Sequence, residues 1–200
     1  MSLFDEAAKS WDSKPHRVET ARRVGEAILS SVPVSKEWRV LDFGAGTGLL
    51  TLFLAPHVSE IVALDNSKGM IDVLREKIDK LGVNNVRPFL GSYSDFQFEF
   101  PFDLIVSSMS VHHVKDVGEL FKWFSSILKT GGYVAIADLV KEDGTFHRDN
   151  TGVFHFGFEK TEFEDYMNSA GIEPVEFKVI HSIERNGREY PIFLSVGRKV

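Results

Sequence analysis

Val40-Leu41-Asp42-Phe43-Gly44-Ala45-Gly46-Thr47-Gly48, continuing into Leu49-Leu50-Thr51-Leu52-Phe53-Leu54, is the stretch whose reading decides the fold. A short apolar run closes around an acid, three glycines follow at alternate positions, and a helix-compatible apolar segment comes next. That pattern is a buried strand, a tight turn and the start of a helix. Glycine lets the backbone turn with φ above zero and lets a ligand lie against bare main chain. The free amides of the next helix's first turn then face a polar or anionic group.

Outward from this loop, helical and strand patterns alternate. Apolar positions at Val18, Ala21, Val24, Gly25 and Ile28 give a helix over Val18 to Leu29. Arg39 to Phe43 is the first strand, and the helix from Gly48 to Ala55 stops at Pro56. Glu60 to Leu64 is the second strand. Gly69 to Leu81 is an amphipathic helix with Gly82 just past its end. Val86 to Leu90 is a third strand, which Pro88 marks as irregular or an edge. Phe102 to Ser107 is the fourth. Asp116 and Glu119 open a helix from Val117 to Leu128 that Gly131-Gly132 ends, and Tyr133 to Leu139 is the fifth strand. Thr161 to Glu164 reads as a capping box opening a helix to Ala170, closed by Gly171. Strands near Val175 to Ser182 and Pro191 to Gly197 flank the hairpin turn Asn186-Gly187. The expected fold is α/β: a Rossmann-like, doubly wound, seven-stranded sheet, mostly parallel with an antiparallel C-terminal hairpin and helices on both faces. One domain over residues 1–200 is expected: a helical cap at 1–31, a ligand-binding core at 39–140, and an acceptor-side loop, helix and hairpin at 141–200.

Composition narrows the partners. Of the 200 residues 43% are hydrophobic and 26% charged, ordinary values for a globular domain. The net charge of -6 and the scattering of Lys and Arg among acids argue against a phosphate-backbone binder. The absence of cysteine excludes disulfides, thiolate metal sites and a thiol nucleophile. The N-terminal residues lack a basic-then-apolar leader and no apolar run reaches membrane-spanning length, so a cytoplasmic protein is expected, with no membrane and no nucleic-acid partner.

A lone glycine-rich turn is a weak signal. Asp65 at the end of the second strand strengthens it, because an acid there accepts hydrogen bonds from the two hydroxyls of a ribose. A dinucleotide loop runs Gly-x-Gly-x-x-Gly, whereas this one runs Gly44-x-Gly46-x-Gly48 with Asp42 just before it. A carboxylate under the loop repels a pyrophosphate and suits an amino group or a sulfonium. No Gly-Lys-Ser/Thr follows, which excludes a phosphate-loop NTPase.

The stretch Val40 to Gly48 resembles the first motif of class I S-adenosylmethionine-dependent methyltransferases. Ala63 to Ile71 resembles their second, Phe102 to Val114 their fourth, and Leu128 to Val134 the lead-in to their fifth strand. Phe4 to Asp12 is similar to the opening segment of the small-molecule branch of that family. The resemblance implies that Gly44, Ala45 and Gly46 lie against the methionine part of S-adenosylmethionine, Asp42 holds its amino group, and Asp65 binds the ribose. It places Asn66 and Met70 near the adenine and Ser107 at the methionine end, and gives Trp11 the role of closing over the cofactor. Where the family often carries an acid for the adenine, Gly91 is followed by Ser92, a hydrogen-bonding substitute.

Methyl transfer is an in-line displacement for which the protein aligns the reactants and excludes water. A hydroxyl acceptor gains from a base, and His112 and His113 follow the fourth strand at the mouth of the expected site; the competing reading is a packed or hydrogen-bonded loop. The aromatic-rich segment Lys141 to Glu159 offers His155 and Gly157 as acceptor-binding candidates. The four histidines His112, His113, His147 and His155, with Asp143, match no recognised ligand spacing, and no metal is expected. The expected activity is methylation of a small-molecule acceptor, with homodimerisation left open. A protein methyltransferase, a non-catalytic S-adenosylmethionine-binding interaction protein and, less so, a nicotinamide-dependent oxidoreductase stand as alternatives.

Overall fold

Alternate residues of the central strands sort into two apolar sets, and that division builds the layers. Val40, Ile61, Ala63, Leu104, Val106, Ala135 and Ala137 face one side of the sheet; Leu41, Val62, Leu64, Ile105, Val134 and Ile136 face the other. The computed structural model of the chain describes residues 3–97 and 101–200. Its strands are β1 (Arg39–Phe43), β2 (Glu60–Asp65), β3 (Val86–Leu90), β4 (Phe102–Ser108), β5 (Leu128–Leu139), β6 (Ile172–Arg185) and β7 (Arg188–Lys199). Its helices are α1 (Leu3–Ala7), α2 (Pro15–Ser31), α3 (Leu49–Leu54), α4 (Lys68–Leu81), α5 (Val117–Ile127) and α6 (Lys160–Ser169). Tight single turns of helix span Ala8–Ser13, Ala55–His57 and Val111–His113.

The strand order is β3-β2-β1-β4-β5-β7-β6, parallel from β3 to β5, with β7 antiparallel to both β5 and β6. The expected α/β sheet with an antiparallel hairpin is therefore present. Residues of α2, α3 and α4 (Val24, Ile28, Leu50, Leu54, Ile71, Leu74) fill one face. Those of α5 and α6 fill the other, where Phe121, Phe124, Phe163 and Met167 pack on Phe193 and Phe102. Each such side chain contributes roughly 1.5–3 kcal/mol by leaving water. The chain winds outward from β1 to β3 and then crosses back to β4, so β1 and β4 flank the switch point, where ligands bind beyond the strands' C-terminal ends.

Several boundaries differ from the sequence reading for identifiable reasons. Gly131-Gly132 does not end α5; the helix stops at Ile127 and β5 begins at once, with a register shift against β4 between Phe102 and Leu104 absorbing the glycines. Thr161 does not cap α6, which starts a residue earlier with Glu159 at the cap position and no side-chain cap bond. Pro56 does end α3, but through a further tight turn over Ala55–His57. The hairpin strands are longer than read, running through Pro174 and Pro191, and the register shift at Pro174 accommodates the missing donor. Pro88 does lie in an edge strand. Ser67 and Asp116 cap α4 and α5 by accepting from Met70 N and Glu119 N, and Gly82 closes α4 in the left-handed conformation at φ 65°. Among the described residues no helix is long and apolar enough to cross a membrane.

Two glycines distinguish strain from crowding. Gly82 has positive φ and open space around it, so Gly82→Ala is expected to cost about 1 kcal/mol from backbone strain alone. Gly157 has φ +70° and a Cβ there would lie 2.4 Å from Val140 O, so Gly157→Ala is expected to cost about 2 kcal/mol or more. Urea unfolding of the two variants checks the order; equal losses would show that the crossing of the Gly157 segment over β5 is not rigid.

Candidate functional site: the cofactor loop and the histidine cluster

The loop after β1 is left-handed at three places, with φ 67° at Gly44, 56° at Gly46 and 81° at Gly48. At Gly44 a Cβ would sit 2.4 Å from the Ser110 side chain, whose hydroxyl donates to Gly44 O at 3.0 Å. At Gly46 the added atom would meet only Met70 Sδ, at 4.0 Å, so this part of the loop faces space bounded by Met70. The amides of Gly44 and Ala45 both donate to Leu64 O. Asp65 completes the tie between strands: its Oδ2 accepts from Gly46 N and its Oδ1 from Ser67 N, each at 2.8 Å. Burial holds the Asp65 carboxyl above the usual range against the pull of those amides. Each oxygen keeps a further acceptor site.

Asp42 is buried at the end of β1 and accepts from Thr51 Oγ1 at 2.5 Å. Burial pushes its carboxyl up to about 7; the Thr51 hydroxyl opposes this and the charge of Asp65 adds to it. Asp42, buried, and Asp65, half-buried, thus place two acids under and beside the glycine loop.

The N-terminal segment is bolted to this loop. Asp5 Oδ1 accepts from Ser67 Oγ at 2.7 Å and from Gly69 N at 2.9 Å, at the first turn of α4. Asp12 accepts from Thr47 Oγ1 at 2.6 Å and pairs with Lys77, whose Nζ also donates to Thr47 O. Between them Trp11 lies under the Arg17 guanidinium, 3.4 Å from the ring centroid, and Phe4 packs edge-on against His113. The segment bridges from the turn after Asp65 to the histidine pair, which positions Trp11 beside the loop. Asp5, Asp12, Thr47 and Ser110 escaped the sequence reading because their partners are far away in the chain, and Thr51 because its hydroxyl reads as one more position of an apolar helix.

Other expected positions divide. Asn66 is exposed in the turn before α4, and Met70 is buried beneath Gly46. Ser92 spends its hydroxyl on Asp95 Oδ2 at 2.6 Å, in a local turn after β3. Ser107 does not present its hydroxyl to the loop's ligand side: it is fully buried and donates to Phe43 O at 2.8 Å, pinning β4 to β1. Ser110 is the serine after β4 that touches the glycine loop.

Beyond β4, His112 is buried, with Nδ1 2.7 Å from Asp138 Oδ1 and its backbone amide donating to Asp138 Oδ2. Burial opposes ionisation of Asp138, but the adjacent His112 and three hydrogen bonds hold its carboxyl below the usual range. His113 places Nδ1 2.8 Å from Gly152 O, and burial pushes its imidazole down to about 4. His147 joins them: its ring centroid lies 5.0 Å from that of His112 and 5.6 Å from that of His113, and burial lowers its imidazole to about 4 as well. His155 is employed otherwise, with Nε2 bonded to Val114 O, and Gly157 is a backbone crossing point against β5; the two fasten the loop. Asp143 pairs at the surface with Arg188. Arg185 lies over the Phe146 ring and donates to Phe146 O at 2.6 Å. Burial lowers the pKa of both Arg185 and Arg17, with the charge of Arg148 adding at Arg185 and that of Arg185 adding at Arg17; Arg185 acts also on His16 and His147. Arg185 therefore brings a positive charge to the histidine cluster in a chain of net negative charge.

A Rossmann-like sheet, a glycine loop closed by an acid at the end of β2, and a second acid beneath it define the class: a class I S-adenosylmethionine-dependent methyltransferase domain. The comparisons with known proteins agree. A family model described as "Methyltransferase domain" matches residues 40–132. The chain is 36% identical over 133 residues to an uncharacterized methyltransferase of Schizosaccharomyces pombe, covering 59% of this chain and 47% of that one. It is 31% identical over 151 residues to an uncharacterized methyltransferase of Geobacillus sp. strain WCH70, covering 72% and 68%. A solved complex between the Haloferax volcanii Trm112 methyltransferase activator and a methyltransferase matches with a TM-score of 0.81 at 18% identity, over 99% of this chain and 98% of that one. The chain belongs to the class I S-adenosylmethionine-dependent methyltransferase family. It spans about half the length of the first curated relatives it matches.

Asp42 gives this site a measurable signature. Between an ordinary carboxyl value near 4 and about 7 the folded chain holds a proton that the unfolded chain has released, so Asp42's contribution to stability falls as pH rises through that window. Above it both states are ionised and the loss is complete. The urea midpoint of the wild type is expected to drop relative to that of Asp42→Asn between pH 5 and pH 8 (roughly the window implied by those values). Parallel profiles would mean that Asp42 ionises normally in the fold.

Proposed function

We propose that the protein transfers the methyl group of S-adenosylmethionine to a small, anionic acceptor by in-line displacement. The observation that carries this reading is the polarity of the site. Acids lie at the glycine loop, where Asp65 accepts from Gly46 and Asp42 lies beneath, and a cation, Arg185, acts on His147 at the histidine cluster. Asp42 receives the cofactor's ammonium, Asp65 its ribose hydroxyls, and Gly44, Ala45 and Gly46 its methionine backbone. Asn66, Met70 and Ser92 border the adenine, and Trp11 covers the cofactor. His112 and His113 handle the acceptor's nucleophilic atom. Residues 39–140 form the cofactor core, the cap at 1–31 covers it, and 141–200 supply the acceptor side.

The displacement breaks the methyl–sulfur bond as the acceptor's lone pair forms the new bond, and the sulfur keeps the electron pair. Little else is required of the protein than alignment and exclusion of water. Phe4 and Phe146, packed against His113 and His147, supply apolar walls for that purpose.

Titration calorimetry with S-adenosylhomocysteine tests the cofactor half. Binding is expected in the micromolar range and is expected to weaken by about tenfold or more, roughly 1.4 kcal/mol, in Asp65→Ala. Transfer of label from methyl-labelled cofactor in a metabolite extract tests the acceptor half: label in anionic small molecules, lost in Arg185→Met, is expected. Label in protein instead would favour a protein methyltransferase, binding without transfer an interaction protein, and binding of NAD in place of the homocysteine compound an oxidoreductase.

A further inference from the structure

The geometry points to a metal site: His112, His113 and His147 bind one divalent transition ion through their Nε2 atoms, and that ion holds an ionisable hydroxyl or thiol of the acceptor. The three imidazoles each offer a ligand nitrogen, and these atoms all lie within 4.8 Å of one another. Their orientations are set from behind. Asp138 takes Nδ1 of His112 and Gly152 O, which can only accept, takes Nδ1 of His113, so in the neutral rings the lone pairs sit on Nε2. The Nε2 atoms of His112 and His147 are buried and have no hydrogen-bond partner. Buried imidazole nitrogens that converge without a proton between them are costly, and an ion between them removes the cost.

The surrounding chemistry fits an ion. A carboxylate or a carbonyl on the far nitrogen of a ligating histidine fixes its tautomer and strengthens it as a donor; Asp138 and Gly152 O stand in those places. Neutral imidazole is the ligating form, and three imidazoles suit zinc, iron, nickel or copper. Bonds of about 2.0–2.1 Å require the nitrogens to draw together by roughly an ångström, within reach of side-chain rotation in His113 and His147. Three protein ligands leave positions open, the arrangement of a reactive site and not of a structural one. No local spacing announces it, because two ligands are adjacent and the third comes from the loop after β5.

The role of the ion rests on the methyltransferase reading; the binding of the ion does not. A hydroxyl or thiol coordinated there loses its proton to water more readily, and the resulting anion attacks the cofactor's methyl carbon as the carbon–sulfur pair returns to sulfur. Arg185, whose charge acts on His147, is near enough to take a second, anionic group of the same acceptor.

The test uses the full chain, stripped with a chelator and titrated with Co2+ and with Zn2+. One ion per chain is expected, with a visible d–d spectrum for Co2+. Affinity is expected to fall by about 100-fold in His147→Ala and in His147→Gln, the second retaining bulk, and by about 10- to 100-fold in Asp138→Asn. No saturable binding up to roughly 1 mM, or affinity unchanged in both His147 variants with native thermal melts, overturns the proposal. S-adenosylhomocysteine is titrated into the same samples. If it binds and neither ion does in the titration, the metal site is sunk and the methyltransferase stands; if an ion binds and it does not, the reverse holds.

Discussion

The carboxylate of Asp65 is the joint on which the site turns. Its two oxygens take one amide from the loop after β1 and one from the turn before α4, so two chain crossings are locked by a single side chain. Remove that anchor and Gly46, which has no Cβ to pack, has nothing else among the described contacts to hold its amide. Asp5 repeats the device one layer out, accepting from Ser67 and Gly69 and fastening the N-terminal segment to the same turn. The cap is held at Asp5 and at Asp12, so Trp11 and Phe4 are positioned by the cofactor loop itself. Loop, cap and histidine pair are mechanically continuous through the contact of Phe4 with His113.

The fold was legible because its determinants are local. The unbroken buried runs Val40 to Phe43 and Ile61 to Leu64, the cap at Asp116 and the glycine at 82 each act within a few residues, and each occurs as read. The misreadings share another cause. Gly131-Gly132 and the residues near Pro174 break local rules, but long strand ladders to β4 and β7 override them through register shifts. Thr161 to Glu164 is a good capping signal that the helix does not use, since α6 starts one residue upstream.

Of the candidate site, the glycine loop and Asp65 were legible as neighbours and the contacts of the histidine cluster scarcely so, for the same reason. The glycine loop and Asp65 lie in contiguous motifs. The partners that complete them do not: Asp12 meets Thr47, Asp138 meets His112, and His147 meets both histidines only because the sheet brings β4, β5 and the following loop side by side. Ser107 and Gly157 show the converse, positions singled out by motif or composition whose atoms the fold spends on pinning β4 to β1 and on crossing β5.

The division of charge gives the proposed reaction a direction. The cofactor carries its positive charge on sulfur, and Asp42 and Asp65 lie on that side; methyl transfer removes the sulfonium charge and with it part of the attraction. In the proposed reaction, an acceptor anion held near Arg185 loses a charge when its nucleophile becomes methylated. Both products are therefore held less strongly than the reactants by the same fixed groups. Burial raises the carboxyls of both Asp42 and Asp65; the charge of Asp65 adds to the rise at Asp42, and that of Asp5 to the rise at Asp65. A cationic ligand opposes both rises on arrival, so the acids under and beside the glycine loop select for the charged cofactor over its neutral product.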